Sequence, residues 1–457
     1  VYKRQAVAQD SEIEAIKRSI VELKADYGRR IEELERRLAL AEEAAATAEQ
    51  ESVARVTATT QPGSVTSGTA FNPRISAILD GNFYHDGIGG EGPSVISGAA
   101  QPSQPGHDEH GHEDGAANGM NLRSVELAFS GAVDPYFDAA VYLALESEGE
   151  IDIEEAWFAT RALPAGLRLK GGRFLSEFGY LNKKHEHQWA FVDQNLPYLN
   201  LLGDHGLQDN GLQLTWLPKT PFYSLFGVEV LQGDQERVGA LVDDEAERVE
   251  LGLNDPESGP RMWTLFAKLS PDLGYDHALQ IGGSYVHSRQ HQEIHSDDVS
   301  ELGLEGSADL WGIDVVYKYD NAAAYGYRDF SVQAEYLRSI KDLTVRGGDP
   351  GSVGESRELT TDGLYLQGTY GFAQRWQAGL RYDALGLTNK LTGGTNDRFG
   401  TSRRWTTAVT WTPTEFSRFR LQYSWNDILL ESGTREQFDS FWLQFLMSLG
   451  AHGAHEF

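Results

Sequence analysis

The sequence predicts an all-β transmembrane barrel of about sixteen antiparallel strands, preceded by an N-terminal α-helical coiled coil. Three observations carry this expectation. Apolar and polar residues alternate with a period of two over strand-length runs, and short and long connections alternate between those runs. The chain also ends on Phe457, at the parity of the apolar face formed by Phe441, Leu443, Phe445, Met447 and Leu449. A terminal aromatic residue on such a strand is the signal expected of a barrel assembled in an outer membrane.

Composition bounds the function. The chain has 457 residues and no cysteine, as suits passage through an oxidising compartment without disulfides. Mean hydropathy is −0.43, and no run approaches the ~18 apolar residues of a spanning helix. Alternation hides a lipid-facing surface from window hydropathy, so a barrel stays open. The 49 Gly, 20 Phe, 19 Tyr and 10 Trp suit strands and aromatic girdles. A net charge of −29 excludes a general nucleic-acid binder and favours cations near the protein.

The elements follow in order. Val1–Gln5 reads as a translated sequencing adapter, and Ala6-Val7-Ala8 as the end of a signal peptide, so residues 1–8 are set aside. Residues 9–55 are expected to form a periplasmic coiled coil, with Ile13, Ile16, Ile20, Leu23 and Tyr27 on one stripe and Ile31, Leu34, Leu38, Ala41 and Ala45 on the next. Ser11 and Glu14 supply a capping box, and the four-residue step from Tyr27 to Ile31 is a stutter. A lone solvated helix is the alternative. Residues 56–70, rich in Thr, Ser, Gly and Pro, form a flexible linker.

From Phe71 to Phe457 only strands, turns and loops are expected, and the span 71–457 is the outer-membrane barrel. Arg418–Asn426 shows the pattern: Phe419, Leu421, Tyr423 and Trp425 on one face, Arg418, Arg420, Gln422 and Ser424 on the other. Short turns are expected at Asp134-Pro135, Leu163–Gly166, Pro218–Pro221, Ser270–Asp276, Asn321–Asp329, Ala373–Arg375 and Pro413–Ser417. Long loops are expected near His85–Asn121, Leu175–Gly206, Gly233–Pro260, Ser288–Ala308, Lys341–Thr361, Leu385–Thr401 and Asp427–Gln437, with a shorter one at Glu148–Asp152. Periplasmic turns and outer loops alternate in this way around a barrel with a wet lumen.

Candidate chemistry lies in the loops and on the polar parity. His107, Asp108, His110, His112 and Glu113 offer nitrogen and oxygen ligands for zinc or another divalent metal, the alternative being a solvated acidic loop. His185 and His187 lie in an apolar loop expected to fold into the lumen as a constriction, where they are candidate ligands or ordinary loop hydrogen-bonders. His287, His291 and His295, spaced by four, would align on a helical loop turn. Glu126, Asp138, Arg168, Lys170, Arg381, Asp383, Arg418 and Arg420 are expected to line the pore, acidic and basic walls setting up a transverse field. They would otherwise satisfy one another in a filled lumen. No catalytic motif stands out, and no cofactor is required.

The His-rich loop (HDEHGHEDG, His107–Gly115), the stretch Gly172–Gln194 (GRFLSEFGYLNKKHEHQWAFVDQ), the ending Gly450–Phe457 (GAHGAHEF) and the coiled coil resemble the zinc-regulated, TonB-dependent-receptor-like outer-membrane proteins of Gram-negative bacteria. The resemblance implies uptake of zinc or a related metal. A coiled coil and linker stand where a receptor's plug would be, so the architecture is closer to trimeric porins and similar to the phosphate-selective porins. Against phosphate, the net charge is negative and no arginine ladder is evident. The expectation is a homotrimeric channel in outer-membrane lipid for small polar solutes, its His-rich loops concentrating divalent metal. The alternative is a structural anchor tethering the coiled coil to peptidoglycan or a periplasmic partner.

Overall fold

A computed structural model describes residues 74–99, 116–146, 151–296, 301–393, 400–430 and 432–450. The chain divides into two units, Val1–Thr69 and Ala70–Phe457, and every described residue belongs to the second. The coiled coil, the linker, the His107–Asp114 tract and Phe457 therefore lie outside the described residues.

Among the described residues the strands are β1 (Arg74–Asp86), β2 (Gly119–Ala132), β3 (Phe137–Glu146), β4 (Ile151–Thr160), β5 (Leu167–Leu175), β6 (Gln208–Trp216), β7 (Tyr223–Leu231), β8 (Met262–Ser270) and β9 (His277–Ser296). They continue as β10 (Glu301–Tyr319), β11 (Phe330–Gly347), β12 (Ser356–Ala373), β13 (Trp376–Leu385), β14 (Lys390–Thr392), β15 (Ser402–Thr414), β16 (Ser417–Leu429) and β17 (Arg435–Gly450). Each wall strand pairs antiparallel with the next, and β17 returns to β1 from Ser76↔Gly450 to Asp86↔Ser440. The short β14 only flanks β12, so sixteen strands make a closed barrel. Closure removes every sheet edge, which a wall in hydrocarbon requires because unpaired backbone groups there find no water.

Parity sorts the side chains as a membrane wall demands. On β16, Leu421, Tyr423 and Trp425 are exposed outward, while Arg420, Gln422, Ser424 and Asn426 are buried inward. Outside, Trp376, Trp411, Phe419 and Phe445 form a row with ring centroids 5.8, 5.4 and 4.9 Å apart. A second row holds Tyr382 against Trp405 at 4.6 Å and Tyr423 against Phe441 at 5.0 Å. Aromatic rings gather at both membrane interfaces because one end of each ring tolerates water. Between the rows, Val409, Leu421 and Leu443 face outward in register.

Three expectations need correction. The connections expected at Ser288–Ala308 and Lys341–Thr361 are largely strand: β9 to β12 are 20, 19, 18 and 18 residues long, well beyond the ~9–11 that span a bilayer. Their extension is supported by its own apolar clusters, Leu302, Leu304, Leu343, Val345 and Leu359 in one and Val242, Leu251 and Leu253 in another. His287, His291 and His295 consequently sit on β9 and not on a helical turn. A bulge between Ser288 and His291 separates His287 from the other two, and beyond it a period of two puts Glu293 on the face of His291 and His295, its carboxylate 2.7 Å from His291 Nε2 and 2.8 Å from His295 Nε2. Short helices also occur at Gly92–Ser97, Leu196–Leu202 and Glu245–Glu250, the latter two begun by side-chain caps from Asn195 and Asp244.

An arginine at the middle of the apolar belt should be costly. Leu421→Arg should lower unfolding free energy in lipid by about 2–4 kcal/mol, measured by denaturant titration of barrel in vesicles. A change near zero would place this face away from lipid.

Candidate functional site

The segment 176–207 between β5 and β6 lies inside the barrel and reaches the wall on many sides. Its base is tied by Asn182, whose amide donates to the carbonyls of Ser176 and Leu207, both at 2.9 Å, and whose oxygen accepts from Leu207 N–H at 2.7 Å. The Glu335 carboxylate on β11 then accepts the backbone N–H groups of Tyr180 (2.9 Å) and Leu181 (3.0 Å) and the Tyr198 hydroxyl (2.9 Å), with Tyr365 OH as a further donor. These bonds satisfy backbone donors that a buried loop would otherwise leave unpaired. Glu229 on β7 does the same for Glu177 N–H at 3.0 Å.

Packing locks the segment. Phe174, Phe178, Leu181, Trp189, Tyr198, Leu201, Leu202 and Leu207 are buried in one cluster with wall residues Val286, Leu310 and Leu337. A wet lumen is therefore not what the described residues show at this level; apolar side chains exclude water from it. Gly312 makes room, since a Cβ there would stand 2.7 Å from Phe178. Gly179, at φ +60, adopts a left-handed turn and lies under Glu335 and Tyr198.

Further along, the segment meets a row of arginines. Asp193 accepts from Arg381 (2.8 Å), Arg404 (2.9 Å) and Gln422 (2.7 Å), and Arg404 also pairs with Asp383 at 2.8 Å. Arg123 donates to Val192 O at 2.7 Å and pairs with Glu186 at 2.7 Å. Arg420 donates to Trp189 O at 3.0 Å and to Gln444 at 3.3 Å, and Arg418 donates to His187 O. Among the described residues neither Arg418 nor Arg420 pairs with a carboxylate. Burial alone would push the Asp193 carboxyl up, but Arg404 and Arg381 bring it down to about 2.

Beside this row stands an acidic and histidine cluster. His185 Nε2 lies 2.9 Å from Glu155 Oε1, and its Nδ1 lies 3.1 Å from Glu154 and 3.5 Å from Glu126. His187 Nδ1 is 3.0 Å from the same Glu126 oxygen. Burial acts to lower the His185 pKa, yet the hydrogen bonds and charge of Glu154, Glu155 and Glu126 hold it well above the ordinary value.

Of the residues expected to line the pore, the structure brings Glu126, Arg381, Arg418 and Arg420 against the lumen segment. Asp383 backs them through Arg404 and Arg381. Lys170 pairs with Glu155 at 3.5 Å and lies over Trp157 and Phe174. Asp138, 3.4 Å from Arg161, and the exposed Arg168 lie near the short-turn end of the wall instead. The sequence showed no arginine ladder because one of its members, Arg123, is not legible there. Arg123 has the wrong parity, and a bulge opposite Asp80/Gly81 brings it to the lumen side. Arg404 sits on the inward parity of β15 between Ser402 and Thr406, a signal that was available.

Residues 108–437 match the family described as phosphate-selective porin O and P. An uncharacterized protein of Aquifex aeolicus (strain VF5) is 33% identical over 396 residues, 86% of this chain and 81% of that protein. Among solved structures, the in-vitro folded OmpT, an outer membrane protein of Vibrio cholerae, has a TM-score of 0.50 at 10% identity, covering 85% of this chain and 100% of that one. The outer membrane channel DcaP of Acinetobacter baumannii has a TM-score of 0.50 at 11% identity, covering 82% of this chain and 97% of that one. These two likenesses establish the fold.

The Asp193 contacts predict a pH limit for docking of the segment. A carboxyl held below the ordinary ~3.9 stabilises the folded form above that pH and loses its contribution as pH falls through about 2. Segment 176–207 should therefore resist limited proteolysis from neutral pH down to pH 4. Asp193→Asn should open it to cleavage throughout that range while the barrel stays heat-modifiable. Equal protection in both proteins would show that Asp193 does not hold the segment.

Proposed function

The chain belongs to the phosphate-selective porin O and P family, and from that premise we propose that it conducts small anions across the outer membrane, with segment 176–207 as the selective constriction. The family match supports a porin-like channel over an enzyme. The observation that carries the anion reading is the pair Arg418 and Arg420, turned inward and supplied only with neutral acceptors from the segment and wall. Guanidinium groups taken out of water without a directly paired carboxylate are costly, Asp80 reaching Arg420 only through Gln444, and a passing anion offsets that cost. Net charge does not argue against this, because short-range charge inside a low-dielectric lumen outweighs screened charge on distant loops.

Acidic groups stand near the arginines: Glu126 shares His187 with Arg418, and Gln444 links Arg420 to Asp80. A transverse field of this kind orders polar solutes as they pass. We propose a homotrimer in the membrane, built on the apolar outer wall. Zinc uptake through the His107–Asp114 tract has no support from the family match and is not part of this reading. The filled lumen favours one rival, a barrel that anchors its N-terminal segment and conducts little.

Planar bilayers separate the two. The anion channel should give steady conductance with a reversal potential toward the anion side in a KCl gradient. Inorganic phosphate should reduce chloride current, and Arg418→Ala with Arg420→Ala should shift selectivity toward cations. An absence of steady current favours the anchor, and cation selectivity of the wild type overturns the anion reading.

A further inference from the structure

We propose that Glu126, Glu154 and His185 form a divalent-cation site that fastens the lumen segment to β2 and β4. The donor atoms of the three lie within 4.8 Å of one another. Their separations suit one small ion. His185 Nδ1 is 3.1 Å from Glu154 Oε2 and 3.5 Å from Glu126 Oε2. Donors ~2.0–2.2 Å from a tetrahedral ion stand about 3.4 Å apart.

The second ring nitrogen of His185 is an independent sign. Its Nε2 faces Glu155 Oε1 at 2.9 Å, and Glu155 is itself held by Leu175 N–H at 3.2 Å and Lys170 at 3.5 Å. A carboxylate placed behind an imidazole fixes the proton on the near nitrogen and leaves the lone pair of the other for a metal. Here that other nitrogen points at two carboxylate oxygens. The wall is deformed to make this possible. β4 carries a bulge between the pairs Tyr142↔Glu155 and Leu143↔Ile153, so the consecutive residues Glu154 and Glu155 both reach His185, one at each ring nitrogen. Bulges of this sort re-aim side chains at functional sites. Three carboxylates meet with Lys170 as the nearby lysine, an excess of negative charge that a dication would neutralise. Mixed imidazole and carboxylate donors suit zinc, nickel, cobalt or copper better than calcium or magnesium.

The proposal is independent of which solute crosses the barrel. Its test is calorimetric and elemental titration of the purified, chelator-stripped full chain with Zn²⁺. The wild type should bind one zinc that survives His107→Ala, His110→Ala and His112→Ala made together. Glu155→Gln, which meets the proposed site only at the back of His185, should weaken that zinc by about 10–100-fold, and Glu154→Gln by more. X-ray absorption should show a shell of nitrogen and oxygen only. Assembly is read separately by heat modifiability. Should the glutamate variants fail to assemble, Co²⁺ added to the wild type decides the matter: a saturable one-to-one visible spectrum that Zn²⁺ abolishes supports the site, and its absence overturns it. Zinc binding that disappears with the triple alanine variant and is unchanged in Glu154→Gln and Glu155→Gln also overturns it, leaving a protonated His185 paired with carboxylates.

Discussion

Backbone hydrogen bonding in hydrocarbon is the constraint on which everything else in this barrel rests. A strand edge facing lipid would leave a row of donors and acceptors without water, so β1 must find β17 and the sheet must close. Closure then dictates the rest. Alternate residues are forced outward into lipid, where Leu421 and Leu443 belong, and their neighbours are forced inward, where Gln422 and Gln444 belong. The ring so made encloses a lumen that must be wet or filled.

The segment 176–207 docks inside it, and does so by carboxylate chemistry. Backbone N–H groups of a non-helical segment need acceptors, and Glu335 and Glu229 reach in from the wall to provide them. The reverse device serves the second half, where Asp193 reaches out from the segment to Arg381 and Arg404. Each buried charge is thereby made dependent on the docked position, since withdrawal of one partner strands the other. The charge distribution of the lumen and the docking of the segment are consequently written in the same residues. Changing Arg404 or Asp193 alters the field inside the barrel and also the hold on segment 176–207.

Local irregularity places the most specific features. Two bulges decide the contents of the lumen near β2 and β4: one brings Arg123 to Val192 and Glu186, the other sets Glu154 beside Glu155 around His185. The inward parity of Glu126, Arg381, Asp383, Arg418 and Arg420 could be read directly, because each lies in a regular ladder. Arg123 and Glu154 could not, because one extra residue reverses the face and leaves the hydrophobic pattern almost unaltered. The extended β9 to β12 escaped for a related reason. Beyond the membrane the outward face of these strands turns polar, as at Asp342 and Arg346, and such a run resembles a loop until its partner is known.

The sequence by itself determined the closed antiparallel barrel, the number of wall strands and the turn order, since period-two alternation and Gly- and Pro-bearing turns are local properties of the chain. It also marked Leu175–Gly206 as too apolar for a solvated loop. Only tertiary structure decided where that segment docks. The match of Phe178 to Gly312, of Tyr180 to Glu335 and of Asp193 to Arg404 joins residues 134, 155 and 211 positions apart. Pairing at such distances depends on barrel closure, bulge position and the volume left inside the ring, and none of these is encoded in any one stretch of sequence.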